Sequence, residues 1–205
     1  MKRITVKATF IEPLLGTSSA NPELHEEFIA SKAPDAPSRE EEVAAIGVDA
    51  EVEKSMTVFP KDENGNPFIW DYQLCGYFKD CCGALQRMKG EKCAEHSLKL
   101  KAYRKAIDGC IFVEPRKIFF EDWNGEIGSL QRPLRGQTAQ GERIALANSE
   151  MIHAGVSCTF TVEVPNIYED AVIEWLNRGK YRGLLQWRNA GYGRFTYEVL
   201  KNEEV

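Results

Sequence analysis

Apolar and polar side chains alternate strictly over residues 3–11, R-I-T-V-K-A-T-F-I, with Ile4, Val6, Ala8 and Phe10 on one side. A period of two marks a strand buried on one face. Pro13 closes it, and Leu14-Leu15-Gly16-Thr17-Ser18-Ser19 reads as the loop that follows. The same alternation returns over 156–164, V-S-C-T-F-T-V-E-V, and over 194–200, R-F-T-Y-E-V-L. Elsewhere the period lengthens. Leu74, Tyr77, Phe78, Cys81, Cys82, Leu85 and Met88 recur in steps of three and four, the spacing of one buried helix face. That helix is expected to begin near Asp71, a good N-cap, and to stop at Gly90. A second stripe, Ala171, Val172, Trp175 and Leu176, predicts a helix over 168–178 with Gly179 as its C-terminal cap. Residues 56–59 and 67–69 flank Asn64-Gly65, a tight-turn signal. Two short β-like runs, 110–113 and 117–120, surround Glu114-Pro115-Arg116, and 143–152 fits helix and strand alike.

Strand, helix, strands, strand, helix, strand is the order of a split βαβ, ferredoxin-like (RRM-like) α+β fold. Its antiparallel sheet would be covered by two helices on one face and open to a ligand on the other. At 205 residues the chain is expected to form a single domain, 1–205, with one insertion at about 17–55.

Charge singles out that insertion. The whole chain carries −5, yet the window 23–63 has twelve acidic and four basic residues, a balance of −8 that leaves +3 elsewhere. With prolines at 22, 34 and 37, the segment reads as a surface excursion, part helix (40–46) and part loop. No run approaches the roughly 20 apolar residues that span a bilayer. The start of the chain alternates instead of forming an apolar signal core, so a cytoplasmic protein without membrane contact is expected. Cys75, Cys81, Cys82, Cys93, Cys110 and Cys158 include no C-x-x-C pair, and His25, His96 and His153 lie outside regular ligand spacing. Reduced, mostly buried thiols are expected, with no metal and no cofactor.

The most informative stretch runs from Gly183 to Phe195, G-L-L-Q-W-R-N-A-G-Y-G-R-F. Gly191 and Gly193 allow close backbone approach to a ligand. Lys180, Arg182, Arg188 and Arg194 are phosphate-pairing cations, and Trp187, Tyr192 and Phe195 are rings able to stack on unpaired bases. The alternative is a turn whose glycines shape the chain and whose aromatics fill the core. A second stretch, 65–79, brings a turn, a strand end and a helix entry into quick succession, with Lys79 adding charge; an ordinary loop-to-helix junction explains it equally. Arg132-Pro-Leu-Arg135-Gly-Gln-Thr, with Arg143, forms a basic loop that is either a contact surface or a solvated connector.

Together the two stretches resemble the RAMP proteins of CRISPR effector complexes. Residues 65–79 are similar to the family's G-x-P-x-I-P-G-S-S-L-R-G pattern at the first helix, and 191–195 to its glycine-rich loop, G-x-G-x-F, before the last strand. Leu14-Leu15-Gly16 fits the family's first loop. Trp70 and Asp71 stand where the family has Pro-Gly, and Cys75 where it has a basic residue, which removes one phosphate contact. The likeness touches roughly a third of the chain.

What the resemblance implies is non-catalytic binding of single-stranded, guide-like RNA, beside other RAMP-type subunits or copies of the same chain. The residues so assigned are Lys79, Arg132, Arg135, Lys180, Arg182, Trp187, Arg188, Gly191, Tyr192, Gly193 and Arg194. Two alternatives stand beside it: a phage or mobile-element protein using the fold to bind or inhibit a CRISPR-type assembly, and a metal-independent endoribonuclease using His25 or His96. Target-cutting family members place an aspartate in the first loop, and residues 17–21 hold none. No catalytic residue is therefore assigned.

Overall fold

The computed structural model describes residues 1–19, 56–138 and 141–205, of which 133–138 and 141–146 are described by backbone alone. The acidic segment, including 40–46 and His25, lies outside the described residues apart from its first few positions. The chain falls into two compact units. The first comprises Met1–Leu14, Ile69–Asn124 and Ala154–Val205; the second comprises Leu15–Phe68 and Gly125–His153.

The first unit is built on a four-stranded antiparallel sheet. Its strands are β1 (Lys2–Phe10), β6 (Phe112–Glu114), β10 (Ser157–Val164) and β11 (Phe195–Glu204), in the spatial order β11-β1-β10-β6. The register pairs Ile4 with Val162 and Val6 with Phe160, so the apolar halves of both central strands share one face. Ile4, Val6, Ala8, Phe10, Cys158, Phe160, Val162 and Val164 are all buried. The period of two in the sequence is therefore the period of the core.

Helix α1 (Asp71–Leu85) buries Leu74, Tyr77, Phe78, Cys81, Cys82 and Leu85, the stripe its spacing predicts. The cap, however, lies one residue earlier. Trp70 occupies the N-cap, its N–H donating to Gln73 Oε1 at 2.9 Å, and Asp71 is the first helical residue. Burial holds the Asp71 carboxyl above its usual range. Helix α4 (Glu169–Asn177) buries Ala171, Val172, Trp175 and Leu176. Gly179 does not cap it in a left-handed turn. It sits inside a one-turn 3₁₀ helix (Arg178–Lys180), where a Cβ would lie 2.6 Å from the Phe195 ring. Close packing, not backbone conformation, demands glycine there.

Aromatic rings join the layers. Phe78 meets Trp175 at 5.5 Å and Tyr77 meets Phe195 at 5.5 Å, while the Tyr77 hydroxyl donates to the Trp175 carbonyl at 2.9 Å. Burial pushes the Cys81 and Cys158 thiols up to about 12, so both behave as small hydrophobes.

Two short helices, α2 (Glu95–Lys99) and α3 (Tyr103–Cys110), occupy a stretch to which no periodicity assigns an element before residue 110. Cys110 thus ends a helix instead of opening a strand. The anchor of α2 is Glu174, a buried carboxylate accepting the His96 N–H at 2.7 Å, the Ser97 N–H at 2.8 Å and the Ser97 hydroxyl at 2.6 Å. A carboxylate so wrapped in donors tolerates burial.

The second unit is a separate sheet. Strands β2 (Leu14–Leu15), β9 (Gly141–Ile152), β4 (Met56–Val58) and β3 (Ser18–Ser19) follow that order, with β8 (Gly128–Thr138) paired to β9. The ambiguous run 143–152 is therefore strand, and the supposed basic loop 132–138 is most of β8. The two form a long hairpin whose register runs from Gly128 opposite Met151 to Thr138 opposite Gly141. Alternation is weak there, which hid the strand. Leu14-Leu15-Gly16 is likewise not a plain loop. Gly16 donates to the Glu150 carbonyl, and a Cβ on it would lie 2.4 Å from Val58 backbone carbon, so only glycine fits. The Asn64-Gly65 turn forms, with Gly65 at φ +81 and Asp62 accepting the Asn64 and Asn66 N–H groups. The runs it joins are not partners of each other: β4 pairs with β3 and β9, and β5 (Phe68–Trp70) pairs with β7 (Lys117–Phe119). Among the described residues no helix is long and apolar enough to cross a membrane.

Candidate nucleic-acid interface

The stretch 183–195 returns from the end of α4 to β11 as a tight double-backed loop. Its two arms touch. The Leu184 N–H donates to the Gly193 carbonyl at 2.9 Å, and the Gly193 N–H donates to the Pro13 carbonyl at 2.7 Å. A Cβ on Gly183 would lie 2.0 Å from the Tyr192 carbonyl oxygen, and one on Gly193 would lie 2.2 Å from that of Leu184. Gly193 also has φ +68 and Gly191 φ +91. Two of these glycines therefore serve the loop's own closure, as the turn reading anticipated. Gly191 differs, since a Cβ there meets nothing closer than the Arg194 guanidinium at 3.5 Å.

The non-glycine backbone is strained as well. Leu185 has φ +65 and Trp187 φ +55, a region that side-chain-bearing residues rarely adopt. Such strain persists only where neighbours over-determine the conformation, and it concentrates at ligand-binding loops. Here it turns Trp187 onto Tyr192. The rings stack with centroids 5.1 Å apart and planes within 12°, and Trp187 stays 38% exposed.

Around this pair the arginines are not distributed at random. Arg182 grips Asp80 of α1 through Nε to Oδ2 and through an Nη to Oδ1 at 3.1 Å, and its other Nη donates to Asn189 at 2.7 Å. Arg188 approaches the same Asp80 oxygen at 3.4 Å. Two guanidinium groups thus share one carboxylate, and a positive charge is left over. Arg194 pairs with Glu12 at 2.6 Å. Lys79, one position before Asp80, pairs with Asp108 on α3. Phe195 is fully buried against Phe10, so it belongs to the core.

The remaining expected residues lie elsewhere. Lys180 follows α4, its ammonium 5.0 Å from the Tyr181 ring centroid. Arg132 and Arg135 are in the second unit, on β8 opposite Ala147 and Ile144. Arg132 is only 9% exposed, which sets it apart from a solvated contact residue. The structure gathers Arg182, Arg188, Trp187, Gly191, Tyr192, Gly193 and Arg194 into one loop. Asp80 and Glu12, the carboxylates that hold the arginines, had no sequence signal beyond their charge.

Of the histidines, His96 lies near Asp170 (3.5 Å from Nδ1 to Oδ2), and His153 is exposed at the end of β9. No cluster of three or more potential metal ligands exists among the described residues.

The outer face of the four-stranded sheet was expected to hold phosphates with the loop. On its central strands β1 and β10 the outward positions are Arg3, which is exposed, and Thr5, Lys7, Thr9, Thr159, Thr161 and Glu163, which are half-buried. Arg3 pairs with Glu163 and Lys7 with Glu121 at 3.0 Å, while Thr5 and Thr161 bond hydroxyl to hydroxyl. The charges at these positions are paired, and one exposed ring, Phe112 on β6, stands opposite Glu163.

No family model matches the chain, and no curated protein matches it. Solved structures do. One is a chain of the Type III-B Cmr-beta bound to cognate target RNA, seen by cryo-EM. It shares 12% identity with a TM-score of 0.52, over 98% of this chain and 60% of that one. This chain therefore spans well under two thirds of its neighbour. At that identity the likeness is one of fold, and the fold is α+β of a kind found in an RNA-bound Cmr assembly.

Proposed function

We propose that the chain is a RAMP-type RNA-binding subunit with a ferredoxin-like core, holding single-stranded RNA on the 183–195 loop without cleaving it. The strand order β11-β1-β10-β6, with α1 between β1 and β6 and α4 between β10 and β11, supports the split βαβ reading. On this reading the second unit consists of two excursions from one core, after β1 and after β7. The β8–β9 hairpin is then the element that meets RNA or a neighbouring subunit, and Arg135 its contact residue.

One observation carries the RNA assignment: Arg182 and Arg188 share the single carboxylate of Asp80 beside the stacked Trp187–Tyr192 pair. A phosphate can take the place of a shared carboxylate oxygen, and the indole and phenol planes are the sequence-tolerant platform that unpaired bases use. The neighbour's RNA-bound assembly agrees with this chemistry. Guide-like RNA and fellow subunits are the partners it implies.

The test is a titration of labelled single-stranded RNA and of the corresponding duplex at 50 and 200 mM salt. Preference for the single strand is expected, with affinity falling steeply as salt rises, because phosphate contacts release counterions. Equal affinity at both salt concentrations would remove the premise.

A further inference from the structure

We propose that a groove bordered by the end of α1, the 92–96 segment and α4 binds a small phosphorylated ligand of nucleotide size. This goes beyond the RNA reading and does not depend on it. The groove lies within the first unit and encloses about 710 Å³, inside the range of small-molecule sites (roughly 300–1,000 Å³) and far larger than one phosphate needs. Leu85, Met88 and Ile173 give it an apolar floor.

Three cations line it: Lys92, Arg178 and Lys180. In the same unit Arg3, Arg182, Arg188 and Arg194 each have a carboxylate partner. Arg178 has none among the described residues. Its Nε is buried with no acceptor, and one Nη reaches only the Met88 thioether at 3.5 Å, a weak acceptor. Neither Lys92 nor Lys180 has an ion pair among the described residues. A buried guanidinium nitrogen without a partner is unfavourable, and a phosphate oxygen is the acceptor whose geometry the guanidinium fork matches.

Two carboxylates also face the groove, and both are engaged. Glu174 accepts three hydrogen bonds from His96 and Ser97, and Asp170 lies beside the His96 imidazole. What distinguishes a nucleotide from a bare anion is Tyr181. It lines the groove and is 67% exposed, next to the Lys180 ammonium. An exposed ring beside phosphate-binding cations suits a base stacked over it.

The experiment titrates the full chain with AMP, adenosine and inorganic phosphate by calorimetry. AMP is expected to bind saturably and at least about tenfold more tightly than either fragment, since it alone joins the charged contact to the stacked one. Arg178→Gln should weaken AMP binding about tenfold or more, and the exposed Lys92→Gln at least about threefold. Tyr181→Ala should reduce AMP to the affinity of phosphate. Arg188→Ala should leave AMP binding unchanged, which keeps a failure of this site distinct from a failure of the RNA loop. AMP binding no tighter than phosphate would overturn the proposal. So would AMP affinity that is unchanged in both Arg178→Gln and Lys92→Gln, and Lys92→Gln tests this at an exposed side chain.

Discussion

The open face of the sheet and the 183–195 loop carry similar residues but balance them differently. On the sheet, Arg3 and Lys7 each meet a carboxylate on a neighbouring segment, Glu163 and Glu121, and threonines fill the positions between. In the loop, Arg182 and Arg188 divide one carboxylate between them, and two rings stack alongside. The number of cations therefore says little about where an anion binds. A cation with its own carboxylate adds almost no net field, whereas two cations on one carboxylate leave a charge that a polyanion can neutralise. The difference is one of topology: a flat antiparallel ladder sets opposite charges across from each other, and a folded-back loop concentrates them.

The largest effect that would break this comparison is structural. Gly193→Ala places a Cβ against the Leu184 carbonyl at positive φ and is expected to cost about 3 kcal/mol, roughly 6–12 °C in Tm. Gly191→Ala brings its Cβ only into ordinary contact with the Arg194 guanidinium at 3.5 Å and meets mainly the conformational penalty, about 1 kcal/mol. Thermal melts of both variants check the order; a larger loss at Gly191 would mean that the loop is not held by its own closure.

Next in size are the arginines. Arg188→Ala should weaken single-stranded RNA binding by about tenfold and lower the slope of log affinity against log salt by about one, and Arg194→Ala, whose guanidinium has Glu12 to itself, should weaken it less. Melting temperature should stay close to the parent's, because both side chains are partly exposed. Unchanged RNA affinity in both variants would leave the loop as a turn and nothing more.

Asp80→Asn sharpens the same point in the opposite direction. Releasing two guanidinium groups from their shared carboxylate should tighten RNA binding by about threefold, and a small loss of stability, about 1 kcal/mol, should accompany it. If Asp80 serves only to hold the loop, the variant will melt earlier and bind RNA less well.

The smallest expected effect lies on the sheet. Arg3→Ala should change RNA affinity by less than about twofold and leave the melting temperature close to the parent's, since an exposed ion pair contributes little. A loss comparable to that of Arg188→Ala, in the same titration, would put RNA on the sheet face and dissolve the contrast.

The core of the first unit was legible in the sequence because its periods are clean. The alternation of Ile4, Val6, Ala8 and Phe10, and the three-four spacing from Leu74 to Leu85, each admit one geometry that buries the apolar side. The loop's membership was legible too, since glycines, arginines and rings crowd into a dozen residues. Other features were not. Residues 128–138 carry glycine, proline and arginine and read as loop, yet they form a long strand because β9 lies alongside and takes their hydrogen bonds. Helices α2 and α3 lack strong stripes of their own, and α2 is secured by Glu174 from 75 or more residues away along the chain. Gly179 looked like a cap from its position, and only the Phe195 ring explains it.

What the sequence determined by itself was the period of each main element and which side of it avoids water, because those depend on neighbours three or four residues away. Which charges stay unbalanced was decided by tertiary structure alone. Asp80 and Arg182 are separated by 102 positions, Glu12 and Arg194 by 182, and no local pattern encodes a pairing made at that distance. Arg178 is indistinguishable in sequence from Arg182, four residues on. The fold gives one of them a carboxylate and leaves the other facing a groove.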